Sequence, residues 1–253
     1  MDRELFCKVE NAIMILKQYE PPEGYFVAFS GGKDSIVILD LVRKANVKHD
    51  VHFHKTSIDP PELLKYIREH YPDIVWERPD RTMFQLIEQW HMMPTRFRRF
   101  CCSVLKECYG YGRLCLTGIR KAESRKRNSR TMFEQDTVKI HNKQMIHIII
   151  DWSDKDVWNY IHEYKLPYCQ LYDDGWKRIG CIGCPYANRK MQFKRYPNFQ
   201  KAYIEAMRRS MLIKPDKFFG TDPYLYFEWW MSGKSPEAFL NIKKQTDWEV
   251  SND

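Results

Sequence analysis

The sequence predicts an α/β protein: a mostly parallel sheet flanked by helices, with a helical C-terminal part. Three observations carry this. Strand-like apolar runs alternate with amphipathic helical stretches over the first two thirds of the chain. The first run, Tyr25–Phe29, is continuously apolar, as a parallel strand covered on both faces must be. The last third keeps helical spacing, with Phe199, Ala202, Tyr203 and Ala206 on one face. A β-α-β-α order implies a parallel sheet with helices on both faces.

The elements follow in order. After Tyr25–Phe29 and Ser30-Gly31-Gly32, residues Ile38, Leu41, Val42 and Ala45 recur at helical spacing, with Ile36 and Val37 thickening the apolar face. Val51 and Phe53 mark a second strand. Asp59 followed by Pro60-Pro61 predicts a capped helix carrying Leu64, Ile67 and Tyr71. Ile74–Trp76 is a third strand, and Thr82 with Gln85 forms a capping box before Met83, Leu86, Ile87 and Trp90. Arg113–Ile119 reads as a fourth buried strand. Residues 138–150 read as a hairpin around Asn142-Lys143 and then a strand leading to Asp151. Ser153 caps a helix with Val157, Tyr160, Ile161 and Tyr164. Residues 1–190 are expected to form the α/β domain and 191–253 a helical extension packed on it. The aromatic cluster at 224–230 is expected to pack helices rather than stack bases.

Composition bounds the function. The chain has 253 residues, 41 Lys+Arg against 33 Asp+Glu, a formal charge of +8 and 43% apolar residues. No apolar run approaches the roughly 18 residues of a membrane-spanning helix, so no membrane role is expected. Acids at Asp2 and Glu4 are unlike a secretory signal. The expected compartment is therefore the cytoplasm, where clustered thiols among the eight cysteines more often bind metal or do chemistry than form disulfides. The positive balance suits an anionic substrate such as a nucleotide, or a nucleic-acid surface.

In parallel sheets ligands sit at the carboxyl ends of the strands. Three pieces lie there: Ser30–Ser35, Thr56–Asp59 and Thr117–Arg120. In Ser30-Gly31-Gly32-Lys33-Asp34-Ser35 the glycines allow a sharp turn and a close backbone approach. Successive N–H groups at a helix N-terminus then make an anion nest. Ser30 and Ser35 add hydroxyls and Lys33 a point charge. Asp34 would repel phosphate unless it holds a magnesium ion or a backbone donor. The loop is not the Gly-x-x-x-x-Gly-Lys-Ser pattern of P-loop NTPases. It resembles the loop of the PP-loop ATP pyrophosphatases. That resemblance implies a Rossmann-like adenine nucleotide α-hydrolase fold, a loop holding the β,γ-pyrophosphate of ATP, and cleavage of the α–β bond.

Cys101-Cys102 and Cys181-x-x-Cys184 form two close thiol pairs. Such sets hold zinc or an iron–sulfur cluster; a redox disulfide at Cys181/Cys184 is a lesser alternative. Arg99–Lys106 resembles the Cys-Cys-x-x-x-Lys segment of assimilatory sulfonucleotide reductases. So do Leu171–Gly175 with Ile179-Gly180-Cys181, and Asp151-Trp152-Ser153 with Asp156-Val157-Trp158 and Leu166-Pro167-Tyr168. The resemblance spans roughly residues 24–190. It implies that the two pairs ligate a [4Fe-4S] cluster and that Lys106 lies between cluster and substrate. It also implies that Arg120, in Thr117-Gly118-Ile119-Arg120, meets the nucleotide's anionic group, with Gly118 and Arg127 beside it. Arg96, Arg98 and Arg99 face either substrate or solvent.

Two departures matter. Sulfonucleotide reductases carry a catalytic cysteine on a C-terminal tail, and here no cysteine follows Cys184. Their PP-loop is degenerate, and this one is intact. Both point towards ATP cleavage by an iron–sulfur member of the superfamily, a combination found in DNA phosphorothioation and some tRNA-thiolating enzymes. The expectation is that ATP with Mg2+ binds over Ser30–Ser35, with the adenine near Thr56. Lys33 and Arg120 stabilise charge on the phosphates, and the cluster organises the site beside Lys106 or delivers sulfur or electrons. Candidate partners are a nucleic acid, a sulfur-donor protein and a second copy of the chain. The alternatives are an adenylyl-sulfate reductase making sulfite, with Cys108 or Cys169 as its thiol, and a nucleic-acid-binding accessory protein that uses ATP only as a ligand.

Overall fold

The structure, a computed structural model, describes residues 2–135 and 143–250. The chain forms two compact units. The first comprises Met1–Lys55, Asp59–Arg78 and Lys106–Gly180; the second comprises Thr56–Ile58, Pro79–Leu105 and Cys181–Asp253. The second unit thus takes in residues 79–105 from the middle of the chain and resumes at Cys181.

The first unit contains α1 (Arg3–Gln18), β1 (Tyr25–Phe29), α2 (Lys33–Ala45), β2 (His49–His54), α3 (Pro61–His70), β3 (Val75–Glu77), β4 (Leu114–Leu116), β5 (Phe133–Gln135), β6 (Gln144–Ile146) and α6 (Asp154–Glu163). The sheet order is β3-β2-β1-β4-β6-β5, with every pairing parallel except β5 on β6. The chain runs outward from β1 through β2 to β3, then returns to place β4 on the other side of β1. The order therefore reverses between β1 and β4, which opens a crevice at their carboxyl ends.

Sequence explains the burial of α2. Ile36, Val37, Ile38, Leu39, Leu41, Val42 and Ala45 are all buried, because β1, α1 and α6 each pack against this helix. Burying one such side chain stabilises the fold by about 1.5–3 kcal/mol. A capping box between Ser153 and Asp156 starts α6, and the Lys8 ammonium reaches the same Asp156 carboxylate at 2.8 Å.

The second unit contains α4 (Met83–Trp90), α5 (Phe100–Leu105), α7 (Arg189–Arg195), α8 (Pro197–Ile213), α9 (Pro223–Ser232) and α10 (Pro236–Val250). The predicted Thr82–Gln85 capping box is present at α4. α8 packs on α4, α7 and α9. Tyr203 stacks on Trp230 at 5.3 Å and meets the Phe193 ring edge-on at 5.6 Å. Tyr226, Phe227 and Trp230 are buried, so these members of the α9 aromatic cluster pack helices.

Three local expectations are corrected. The N-cap position of α3 is Pro60 rather than Asp59: the helix starts at Pro61, with Asp59 buried one position before the cap. The predicted strand at Arg113–Ile119 is paired only over Leu114–Leu116. The apolar run to Ile150 is not a strand throughout. β6 stops at Ile146, and Ile148–Ile150 form a buried turn, closed where the Ile150 N–H donates to the His147 carbonyl. Apolar sequence reports burial there, not extension. Residues 138–142, the first arm and turn of the predicted hairpin, lie outside the described residues; β5, which precedes them, pairs antiparallel with β6.

Candidate nucleotide and thiol sites

Ser30–Gly32 turns the chain from β1 into α2. Gly31 has φ +69°, and a Cβ there would lie 2.6 Å from Leu63 Cδ1, so conformation and space both require glycine. The Ser35 hydroxyl donates to the Gly32 carbonyl at 2.8 Å and accepts from the Ser30 N–H at 3.2 Å. The Ser30 hydroxyl accepts from the Gly32 N–H at 3.3 Å. Gly32 is the N-cap of α2 and has no side chain to satisfy the first N–H groups. The Lys33 N–H donates instead to the Tyr172 hydroxyl at 2.8 Å. That phenolic oxygen occupies an acceptor position of the kind an anion takes at a helix N-terminus. Burial pushes the Tyr172 phenol well above its ordinary range.

The carboxyl end of β4 approaches from the side. A Cβ on Gly118 would lie 3.0 Å from the Asp34 Cβ, so glycine permits this contact. Arg120 is buried, and its fork is fully engaged: Nε to Asp34 at 2.6 Å, one terminal nitrogen to the Trp152 carbonyl at 3.2 Å, the other to Asp154 at 2.8 Å. Lys33 Nζ lies 3.2 Å from Asp154 and 3.4 Å from Asp34. Two cations and two carboxylates therefore interlock at the start of α2. Partial burial works against ionisation of Asp154, but Lys33 and Arg120 outweigh it and hold its carboxyl below the usual carboxylate range. Arg120, expected from the sequence to meet the nucleotide's anionic group, ties α2 to residues 152–154 in this structure. Arg127 pairs with Glu123 one helical turn away.

The four thiols come together in the second unit. Its Cys101 thiol is pushed well up by its hydrogen bond with Cys102, by burial, and by the nearby Cys181 and Cys184. The Cys181–Cys184 loop is pinned by its backbone. Gln192 accepts from the Gly183 N–H at 2.9 Å and donates to the Cys181 carbonyl at 3.2 Å. Tyr203 donates to the Ile182 carbonyl at 2.8 Å. Thr56, expected near an adenine, is fully buried and accepts from the Cys181 thiol at 3.5 Å. All eight cysteines lie outside disulfides. Among the described residues, no three His, Cys, Asp or Glu side chains converge tightly enough to hold a single metal ion. The donor set, all sulfur and from two pairs, is nonetheless of the kind that an iron–sulfur cluster takes. A cationic centre would favour the thiolate form of such ligands.

Lys106 lies in the first unit. Burial first, then the charges of His52, Lys106 and Lys143, lower the pKa of His54 to about 4. His54 stacks on Tyr109 at 4.3 Å. Sequence reasoning missed Asp154, Tyr172, Gln192 and Tyr203 as members of these sites. Tyr172 lay within a segment already singled out, Tyr203 on a predicted helix face, and Asp154 just after the cap at Ser153; Gln192 has no motif of its own.

Comparison with known proteins agrees with the fold. The chain is 34% identical over 192 residues to an uncharacterized protein of Methanocaldococcus jannaschii, a match covering 69% of this chain and 39% of that protein's length. It is 28% identical over 185 residues to adenosine 5'-phosphosulfate reductase of Bacillus anthracis, covering 66% of this chain and 77% of the relative. Among solved structures, the phosphoadenylyl-sulfate reductase of Candida auris in its phosphate complex superposes with TM-score 0.52 at 18% identity, covering 72% of this chain and 96% of that one. Candida glabrata FMN adenylyltransferase with FMN and an ATP analogue also gives 0.52, at 16% identity, over 71% of this chain and 62% of that one. The phosphoadenosine phosphosulfate reductase domain model matches residues 24–187, more than half of the chain and all of the nucleotide-loop and thiol motifs. The chain belongs to the phosphoadenosine phosphosulfate reductase domain family.

Proposed function

We propose that this chain binds ATP over Ser30–Ser35 and cleaves its α–β bond, transferring the adenylyl group to an acceptor. The observation that carries the reading is the loop itself. It is a glycine turn at positive φ, with two serine hydroxyls, opening a helix whose N-cap is a glycine without a side chain, beside the point where sheet order reverses. A β- or γ-phosphate oxygen takes the acceptor place that the Tyr172 hydroxyl holds. Asp34 is already compensated by Arg120 and Lys33, so its charge does not bar a polyphosphate. Lys33 swings from the carboxylates to the phosphates and stabilises charge as the α–β bond lengthens. The acceptor's nucleophilic atom bonds the α-phosphorus, pyrophosphate leaves with the bonding pair, and the acceptor's proton passes to solvent. Mg2+ would enter with the phosphates, since Arg120 and Lys33 take the Asp34 oxygens, and would help to offset the charge of the leaving pyrophosphate.

Cys101, Cys102, Cys181 and Cys184 hold a [4Fe-4S] cluster in this reading. When bound it supplies electron transfer or a place to deliver sulfur. Anaerobic purification followed by iron and sulfide analysis tests it, and Cys181→Ser is expected to bleach the chromophore.

A second reading, reduction of adenylyl sulfate to sulfite, is favoured by the relatives named as adenosine 5'-phosphosulfate reductases. One assay pair separates the two: pyrophosphate release from ATP, and sulfite release from adenylyl sulfate with a dithiol. ATP cleavage is expected, and Lys33→Ala should lower it at least tenfold while leaving iron content unchanged. Sulfite without pyrophosphate would overturn the first reading in favour of the second.

A further inference from the structure

Two acid-free stretches meet in the helical unit. No Asp or Glu lies between Glu88 and Glu107, or between Asp174 and Glu205. Arg96, Arg98 and Arg99 fall in the first, and Arg189, Lys190, Lys194, Arg195 and Lys201 fall in the helical-unit part of the second. Their tertiary junction is built. Arg96 Nε donates to the Pro185 carbonyl at 3.1 Å, and the Tyr186 hydroxyl donates to the Arg96 carbonyl at 3.1 Å. The Arg96 and Arg99 guanidiniums lie 5.7 and 5.5 Å from the Tyr186 ring centre.

Elsewhere arginines in this chain find carboxylates: Arg43 with Asp73, Arg113 with Asp50, Arg209 with Glu88. Among the described residues Arg96 and Arg98 have no carboxylate partner, and both are exposed. Aromatic rings stand among them. Phe97 is 98% exposed and Trp90 51% exposed. Trp90 stacks on Phe100 with their planes 10° apart, and Trp90, Met92, Arg98 and Phe100 line a groove of about 300 Å³. Fully exposing a phenylalanine in water forfeits about 1.5–3 kcal/mol of burial, so such a ring is a candidate contact rather than packing.

We propose that this surface binds single-stranded nucleic acid, with the arginines and α7 lysines on phosphates and with Phe97 and the Trp90 groove stacking bases. Arginine serves both tasks, since its planar fork pairs with phosphate and stacks on rings. Rings interleaved with cations are how sequence-tolerant single-strand sites are made. A lone nucleotide has too few phosphates to use cations spread over two segments. A membrane surface would use an apolar helix face rather than isolated rings among arginines. This deepens the reading above by naming the acceptor's class, and rests on that reading only for the chemistry after docking.

The test uses the full chain without ATP. Fluorescein-labelled 20-nucleotide single-stranded DNA and RNA of mixed sequence are titrated, with anisotropy as readout, at several salt concentrations. Binding that weakens steeply with salt is expected, with a logarithmic slope of about −0.7 per phosphate contacted. Phe97→Ala/Arg98→Ala and, separately, Lys190→Ala/Lys194→Ala should each weaken it at least tenfold. Lys65→Ala, on α3 in the other unit, should not. Melting temperature and ATP binding check that each variant is folded. The proposal is overturned if low salt shows no binding, if both double variants bind as the parent does, if blunt duplex binds as tightly as single strand, or if poly-glutamate competes as well as the oligonucleotide. In a parallel assay with ATP and Mg2+ added to the bound oligonucleotide, binding without pyrophosphate release would sink the ATP-cleavage reading and leave this one standing.

Discussion

Replacing Arg120 by methionine separates a clamp from a ligand contact. Met keeps an apolar side chain of similar reach and removes all three polar links. The link to Asp34 dominates, because both partners are shielded: side-chain exposure is 2% for Arg120 and 18% for Asp34. Breaking a buried pair and stranding one charge costs about 3–5 kcal/mol. Asp154 is 66% exposed, so its loss adds under about 1 kcal/mol after solvent screening. The Trp152 carbonyl loses a charged donor, about 1–2 kcal/mol. Lys33 remains near Asp34 and returns part of this. The expected loss is about 3–5 kcal/mol, read as a shift in urea midpoint at unchanged slope. Arg120→Met/Asp34→Asn should lose less than the two single variants summed, with a coupling of at least about 1 kcal/mol. Additive losses, or a loss below about 1 kcal/mol for Arg120→Met, would refute the clamp. A stable Arg120→Met variant with collapsed ATP affinity would favour the nucleotide contact read from the sequence over the clamp.

Two further outcomes follow from other sites. Gly183 has φ +79° and a Cβ there would lie 2.8 Å from the Tyr203 ring, so Gly183→Ala should cost about 2–4 kcal/mol in urea unfolding and lower the iron bound per chain. His54 titrates near 4 when folded and near 6.5 when unfolded. The unfolded chain therefore binds the extra proton, so stability is full above about 6.5 and is lost as pH falls towards 4. At most about 3 kcal/mol is at stake. His54→Phe should flatten that part of the stability profile, and an unchanged slope between pH 4 and 6.5 would show that His54 is not its source.

Much of this protein is legible in its order of residues. A strand–Gly-Gly–helix junction announces itself because backbone geometry at Gly31 and the apolar spacing of α2 are local properties. The capping box at Thr82 and the cap at Ser153 were readable for the same reason: each closes within four residues. Sheet direction followed from alternating elements, and the pairing of thiols from their spacing. What sequence could not decide was which partner each polar side chain would choose. Arg120 sits in a family segment, yet its fork is claimed by Asp34 and Asp154, which lie 86 and 34 residues away. Thr56 stands at a strand end, yet its hydroxyl meets Cys181, 125 residues on. Tyr172 reaches the Lys33 N–H across 139 residues. The run to Ile150 looked extended because burial, not backbone shape, is what apolar residues encode. Short-range propensity and periodicity act along the chain and can be read there. The choice among competing charges and hydrogen-bond partners is made only when folding brings distant segments within about 3 Å and removes the water that would otherwise satisfy them all equally.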